Sequence, residues 1–481
     1  MDSRMKTIVR YEWKSFVRNK FQLLLLCITF GFGMYAIYYG NAEIDAQRET
    51  IAAVTALEEK EFSEYRASFA NEGAASGLEQ VHDIASRPSF AWFRHGYHAI
   101  IHPHDYASLA IGQRDLFRYY YRLTGMSLHY QLFENELANP VNLMAGNFDL
   151  SFVIIYLFPL IIIAFCYGLY SSERENGTLP LLQIQTISIQ KITLIRLGFY
   201  FVIITGLALL ISLIGLVVSG NILAPDNSRA ALVWLLAVLV YCSFWFGLLF
   251  LIISFRKNSA FNAISAAGCW ILLLIVVPAV LNVLVTVKYP LNSATLAGLT
   301  RRTSLENEED QEEAREVIRE FLPHRPELQD SDSLMNNNLM PKAYAAFTTL
   351  KDIENQKVVD DYNEQVEKRS SWTAQFHWLS PSVSLQEAFS TTAQTDLATM
   401  ISFQNRLSAF HGEITDFYFS RLFWDKPITE DDYNRLPVFN MPKNESRLSS
   451  VLAALAGVFV YAMSLFIIGL LQMRRRIEGV K

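Results

Sequence analysis

The chain has 481 residues, 51% of them apolar, and a net charge of −6. Its apolar residues fall in blocks, which excludes a soluble globule around one core, and no stretch joins basic residues to aromatics as a nucleic-acid groove would. The four cysteines, Cys27, Cys166, Cys242 and Cys269, all lie inside apolar blocks, so the two long polar stretches carry no disulfide.

Residues 1–20 open the chain as a predicted interfacial helix. Ile8, Val9, Tyr11, Trp13, Phe16 and Val17 alternate with Arg10, Glu12, Lys14 and Arg18, which sets the aromatics at headgroup depth. Phe21–Gly40 is the first of six predicted spans, each long enough to cross ~30 Å of hydrocarbon as a helix. It is too long for a signal-peptide core and lacks a cleavage pattern before Asn41. The others are Leu150–Tyr170, Leu194–Val218, Ala230–Phe255, Ala260–Val287 and Val451–Met473, with a basic tail over 474–481.

Basic residues alternate from side to side. Arg18 and Lys20 precede the first span; Arg174, Lys191 and Arg196 lie around the second connection; Arg256 and Lys257 lie at the fourth; Arg474, Arg475 and Arg476 follow the sixth. The positive-inside rule places these segments and both termini in the cytoplasm. The fold class expected is an all-α polytopic membrane protein, with six transmembrane helices and a mainly α-helical extracytoplasmic domain built from two loops.

The first loop, 41–149, begins with an Ala-, Glu- and Arg-rich helix over Glu43–Phe69 and ends with a second over Asp115–Leu137. Pro88, Gly96 and Pro103 break regular structure between them. The second loop, 288–447, shows helical patterns over Ser304–Phe321, Pro341–Phe376 and Ser382–Leu422. Strand-type alternation is scarce in both. Within the spans no ionisable residue sits at a centre, so a proton or ion relay has no visible carriers. Pro159 and Pro278 are expected to kink their helices, with Asn282 near enough to bond the backbone freed at Pro278.

The most specific segment is the cytoplasmic stretch 171–193, which reads Ser172-Glu173-Arg174-Glu175-Asn176-Gly177-Thr178-Leu179-Pro180-Leu181-Leu182 and then Gln190-Lys191. Three charges stand just beyond the membrane edge. Gly177 permits a turn, and Thr178 is a candidate cap for a short helix from Leu179 that carries Leu181, Leu182 and Ile184 toward a partner or the membrane surface.

This Glu-x-Glu-x-Gly-Thr-Leu-x-x-Leu run with its following lysine resembles the coupling region of type-2 ABC exporter permeases. The interfacial helix, the six spans and the large loop before the last span match that layout. Within the family the chain is similar to a bacterial branch with two large extracytoplasmic insertions and no assigned substrate. Leu379-Ser380-Pro381-Ser382 through Thr395-Asp396 and Phe403 resembles that branch's second insertion. The chain departs from the family pattern in two places: Thr186-Ile187-Ser188 replaces a common proline, and Gln190-Lys191 replaces a Gly-Lys pair. The resemblance implies a multi-pass protein of the bacterial inner membrane that pairs with a second permease, its own copy or a relative. It implies a cytoplasmic ABC ATPase partner met by Glu173, Glu175, Gly177, Thr178, Leu179, Leu182 and Lys191. The chain has no G-x-x-x-x-G-K-[ST] loop, so ATP and Mg enter through that partner, and no catalytic residue or cofactor is assigned to the chain itself.

Six of the nine histidines crowd the first loop. His95, His98, His102 and His104 are the candidate metal ligands, flanked by His82 and His129. Pro103 interrupts the run, no cysteine accompanies it and no His-Glu-x-x-His is present. No metal is therefore expected, and the cluster reads as a polar, aromatic-rich loop beside Trp92, Phe93, Tyr97 and Tyr106. Two other readings stand beside the permease: a membrane-anchored sensor or scaffold whose outer domain binds an envelope partner, and a membrane metalloenzyme using these histidines.

Overall fold

A computed structural model describes residues 3–70, 78–133, 147–183, 188–291, 311–329, 337–376, 379–442 and 447–478. Six helices among them are long and apolar enough to cross a membrane: Lys20–Ala70, Leu150–Glu175, Ile189–Ser219, Asn227–Ser254, Ser259–Lys288 and Leu448–Arg474. The protein is a multi-pass, all-α membrane protein carrying a mainly helical domain outside the bundle, called the head below.

The first span does not stop at Gly40. Lys20–Ala70 is one 51-residue helix, ~77 Å at ~1.5 Å per residue, so the predicted first span and the predicted Glu43–Phe69 helix are halves of a single rod. Gly40 lets that rod pass the first loop. A Cβ there would sit 1.8 Å from the Ser108 carbonyl oxygen, closer than any side chain allows.

Two buried clusters divide the molecule. One gathers the spans, with Phe158, Trp234, Phe244 and Phe250 fully enclosed. The other builds the head from both loops at once: Trp92, Tyr97 and Leu123 from the first pack with Phe321, Phe403, Phe410 and Phe419 from the second. Neither loop closes a core alone, so the head is one unit made by both.

Within the first loop the sequence expectation is overturned over Asp115–Leu137. Its described part forms turns, a strand and the short helix Leu128–Phe133. Strand β1 (Tyr97–Ile100) pairs antiparallel with β2 (Tyr120–Leu123), Tyr97 opposite Leu123. Tyr120, Tyr121 and Leu123 are residues that suit a pleated surface, and pairing across twenty residues satisfies backbone that a lone helix would otherwise have satisfied. In the second loop the helices Gln311–Phe321 and Leu339–Ala374 stand near the expected places, while residues 304–310 lie outside the described ones. Ser382–Leu422 is two helices, Pro381–Thr392 and Leu397–Leu422, separated at Gln394, whose φ is +54°.

Contacts fix which connections share an end of the bundle. The third-to-fourth connection lies on the head: Asn227 Nδ2 donates to Asp105 at 2.6 Å, and the Tyr106 hydroxyl donates to the Asn227 carbonyl at 3.1 Å. The N-terminal helix, the second-to-third and fourth-to-fifth connections and the end of the sixth span meet at the opposite end, through the contacts described next. The spans therefore alternate as the flanking charges require.

Candidate functional site

The helix Ser171–Glu175 ends the second span on a polar, charged face. Gly177, at φ +72°, turns the chain in a conformation that L side chains rarely adopt. The short helix Leu179–Gln183 follows, and Ser188 caps the third span by accepting from the Lys191 amide at 3.4 Å. Ile184, Thr186 and Ile187 lie outside the described residues.

Thr178 does not spend its hydroxyl on that short helix. It donates back to the Glu173 carboxylate, and to the Glu173 carbonyl at 3.0 Å, so it locks the turn from behind. Glu173 in turn pairs with Arg196 at 2.7 Å, and Arg196 also pairs with Glu12 at 2.7 Å. The Glu12 and Arg196 side chains are only 7% and 13% exposed. One guanidinium thus joins the N-terminal helix, the second-to-third connection and the third span. Burial raises the Glu12 pKa, and the Arg196 guanidinium opposes that rise.

Glu175 makes a second tie. Its carboxylate accepts from the Ser259 amide at 2.7 Å and the Ser259 hydroxyl at 2.8 Å, at the start of the fifth span, where unpaired amides favour an anion. Asn258 caps the same helix through the Phe261 amide at 2.9 Å. Between these carboxylates Arg174 donates to the Arg256 carbonyl at 2.8 Å, and Arg256 donates to the Met473 carbonyl of the sixth span at 3.0 Å.

The seven residues singled out from the sequence therefore separate into two kinds. Glu173 and Thr178, half-buried, and Glu175, exposed but bonded to Ser259, brace the connection. Gly177 and Lys191 are exposed, while Leu179 and Leu182 are half-buried, Leu179 against the cluster of spans. Among the described residues of this connection, Leu181 is an apolar side chain 65% exposed. What results is a short helix with an apolar side chain facing out, mounted on charges that reach the N-terminal helix and the third, fifth and sixth spans.

The comparisons bear on the other end of the molecule. Residues 295–441 match the model of a domain of unknown function, DUF3526. That match covers under a third of the chain and lies in the second loop. No curated protein and no solved structure matches the chain.

Sequence reasoning treated Glu12, Arg196 and Arg256 as membrane-edge charges and passed over Ser259. Glu12 lies 184 residues from Arg196, a separation no local pattern reveals. The available signal was an acid set among Tyr11, Trp13 and Phe16, an unusual place for a charge without a partner.

The histidines disperse. His95 Nδ1 lies 2.6 Å from the Tyr418 hydroxyl, which is itself 2.5 Å from that of Tyr97. His98 meets Glu58 at 2.9 Å, His104 accepts from the Tyr106 amide at 3.2 Å, and His102 is exposed. Among the described residues no three His, Cys, Asp or Glu side chains are placed to hold a metal ion. The cluster in sequence is a set of separate hydrogen bonds in space. Burial lowers the His95 pKa to about 3, so it stays neutral.

Proposed function

We propose that the chain is the membrane permease subunit of an ATP-binding cassette exporter, working as a dimer with a second permease copy or a relative and driven by a separate cytoplasmic ATPase. The observation that carries this reading is the braced helix Leu179–Gln183, which presents Leu181 at the end of the bundle opposite the head. A soluble partner pressing there moves a unit tied by Glu173 to Arg196 and Glu12, and by Glu175 to the fifth span. In this reading Leu181 and the exposed turn at Gly177 touch the ATPase, while Glu173 and Glu175 pass its motion inward. The basic ends face the cytoplasm of a bacterial inner membrane and the head faces outward. ATP and Mg stay with the partner; the chain itself is not an enzyme, and its work is export or movement of the head.

The test is mild-detergent purification of the tagged chain with co-purifying proteins identified by mass spectrometry. The expected result is a stoichiometric chain bearing a phosphate-binding Gly-rich loop, lost in Leu181→Asp while that variant remains folded in the membrane. Leu181 is mostly exposed, so the change leaves internal packing almost untouched. Recovery of envelope proteins alone, unaffected by Leu181→Asp, would replace this reading with a membrane-anchored sensor or scaffold. The engagement of Glu173 and Glu175 within the chain is the observation favouring that alternative.

A further inference from the structure

Two of the six spans carry a π-helical stretch followed at once by a proline. In the second span the stretch is Val153–Leu157 with Pro159 behind it; in the fifth it is Leu272–Val276 with Pro278 behind it. In each, the last π-type bond is visible: the Phe158 amide donates to the Val153 carbonyl, and the Val277 amide to the Leu272 carbonyl. Continuing that five-residue spacing by one step assigns the Leu273 carbonyl to the nitrogen of Pro278, which has no hydrogen. Leu273 is therefore left an acceptor without an intrahelical donor, inside a membrane where water is scarce.

Each stretch is repaired from elsewhere, but by different parts of the molecule. The spans themselves serve the first, at the two carbonyls that follow Ile154, the one this count assigns to Pro159: the Tyr241 hydroxyl donates to the Ile155 carbonyl at 2.8 Å, and the Trp270 indole donates to the Tyr156 carbonyl at 3.2 Å. The second is served from the second loop. Ser380 and Ser382 both donate to the Leu273 carbonyl, at 2.8 and 3.3 Å, from the start of the helix Pro381–Thr392. Asn282, expected in this role, lies exposed further along the fifth span.

That helix is seated in the bundle and not merely on it. It packs between the fourth and sixth spans. Leu385, Ala388, Phe389 and Ala393 belong to the buried cluster of the spans, and Phe389 stacks on Trp234 of the fourth span at 3.9 Å. Just beyond its other end the Thr395 hydroxyl donates to the Ala110 carbonyl of the first loop at 2.8 Å, and the chain runs on into the helix Leu397–Leu422, whose Phe403 and Phe410 lie in the head core.

We infer that the helix Pro381–Thr392 is a latch through which the head holds the bend of the fifth span, Ser380 and Ser382 supplying the hydrogen bond that Pro278 cannot make. With the latch seated the bend is satisfied; withdrawing it strands the Leu273 carbonyl. The head and the fifth span then change shape together or not at all. This holds whatever drives the protein, so it stands apart from the ATPase reading.

The experiment uses the full chain in lipid nanodiscs with Ala388→Cys as reporter, since Ala388 is almost fully buried in the seated helix. Labelling of the thiol at 388 by a water-soluble maleimide is followed by mass mapping. Ser380→Ala with Ser382→Ala should accelerate labelling by roughly tenfold, the factor carried by one net hydrogen bond. With Pro278→Ala also present the backbone amide at 278 can serve the fifth span itself, so the same serine changes should then alter the rate by less than about twofold. Equal acceleration in both backgrounds, or none in the first, overturns the inference. If the double serine variant does not survive purification, Ser382→Ala alone carries the same comparison, with about a threefold acceleration expected.

Discussion

His95 shows how a residue's surroundings override its chemistry in isolation. Four histidines in ten residues are candidate metal ligands by type alone, yet His95 is enclosed by aromatic rings and stacks on Tyr65 with centroids 4.6 Å apart. Its pKa, lowered to about 3 by burial, gives a signed prediction. Protonation favours the unfolded chain, so the stability is fully present above the unfolded pKa of ~6.5 and is lost as pH falls toward the folded value. At pH 5 the head should have lost about 2 kcal/mol through this residue alone. His411, whose pKa burial also lowers, acts in the same sense. Acid unfolding followed by tryptophan fluorescence should show this slope, and His95→Gln should flatten it. An unchanged slope would mean that His95 already ionises in the folded head. Only the spacing of these histidines was legible in sequence. Their dispersal follows from the chain path: His95 caps the end of the helix Pro88–Arg94, His98 lies in β1, and His102 and His104 lie beyond the strand, so each meets different neighbours.

At the scale of elements, the charges, the glycine and the short apolar helix mark the connection between the second and third spans, while the partners of its charges are not legible in it. Glu173 and Glu175 look like surface acids because a local pattern shows only that they follow the last apolar turn. Their partners Arg196, Glu12 and Ser259 arrive from other helices. Arg196→Gln should therefore be severe, because it leaves two enclosed carboxylates facing one another without a cation. The expected cost is about 3 kcal/mol, read as a fall in thermal midpoint in detergent. Adding Glu12→Gln to that variant should recover part of the loss by removing one unpaired charge. If the single variant keeps the parent midpoint, Arg196 does not join these elements.

Across the whole molecule, the long helix Lys20–Ala70 is what makes head and bundle one body. It begins among the spans, passes Ser108 of the first loop at Gly40 and ends in the head core, where Phe62 and Phe69 pack. Ser108 in turn donates to Ser219 at the end of the third span, at 2.8 Å. Asp149 secures the neighbouring junction: its carboxylate accepts from the Ile111 amide and the Phe152 amide, each at 2.9 Å. Gly40→Val should push the first loop off the rod. An expected loss of at least about 2 kcal/mol would be accompanied by faster tryptic cleavage of the head. Gly31→Val, in the same helix but with nothing within 4 Å of its new Cβ, is the matched control and should be nearly neutral. Equal effects from both would assign the loss to the helix alone.

The sequence by itself determined the six spans, which connections share an end of the bundle and the helical character of the head. Those features are set by runs of apolar residues and by charge at membrane edges, which act over one helix length and need no partner to be read. Only the tertiary structure decided that the first span runs on into the head, that Glu173 and Glu175 brace the bundle, and that Ser380 and Ser382 serve the fifth span at Pro278. The first depends on close packing at Gly40, and the other two on a backbone group or charge in one element answered by another more than twenty residues away. Such pairings are fixed by packing, because a buried polar group must find its partner wherever the fold brings one.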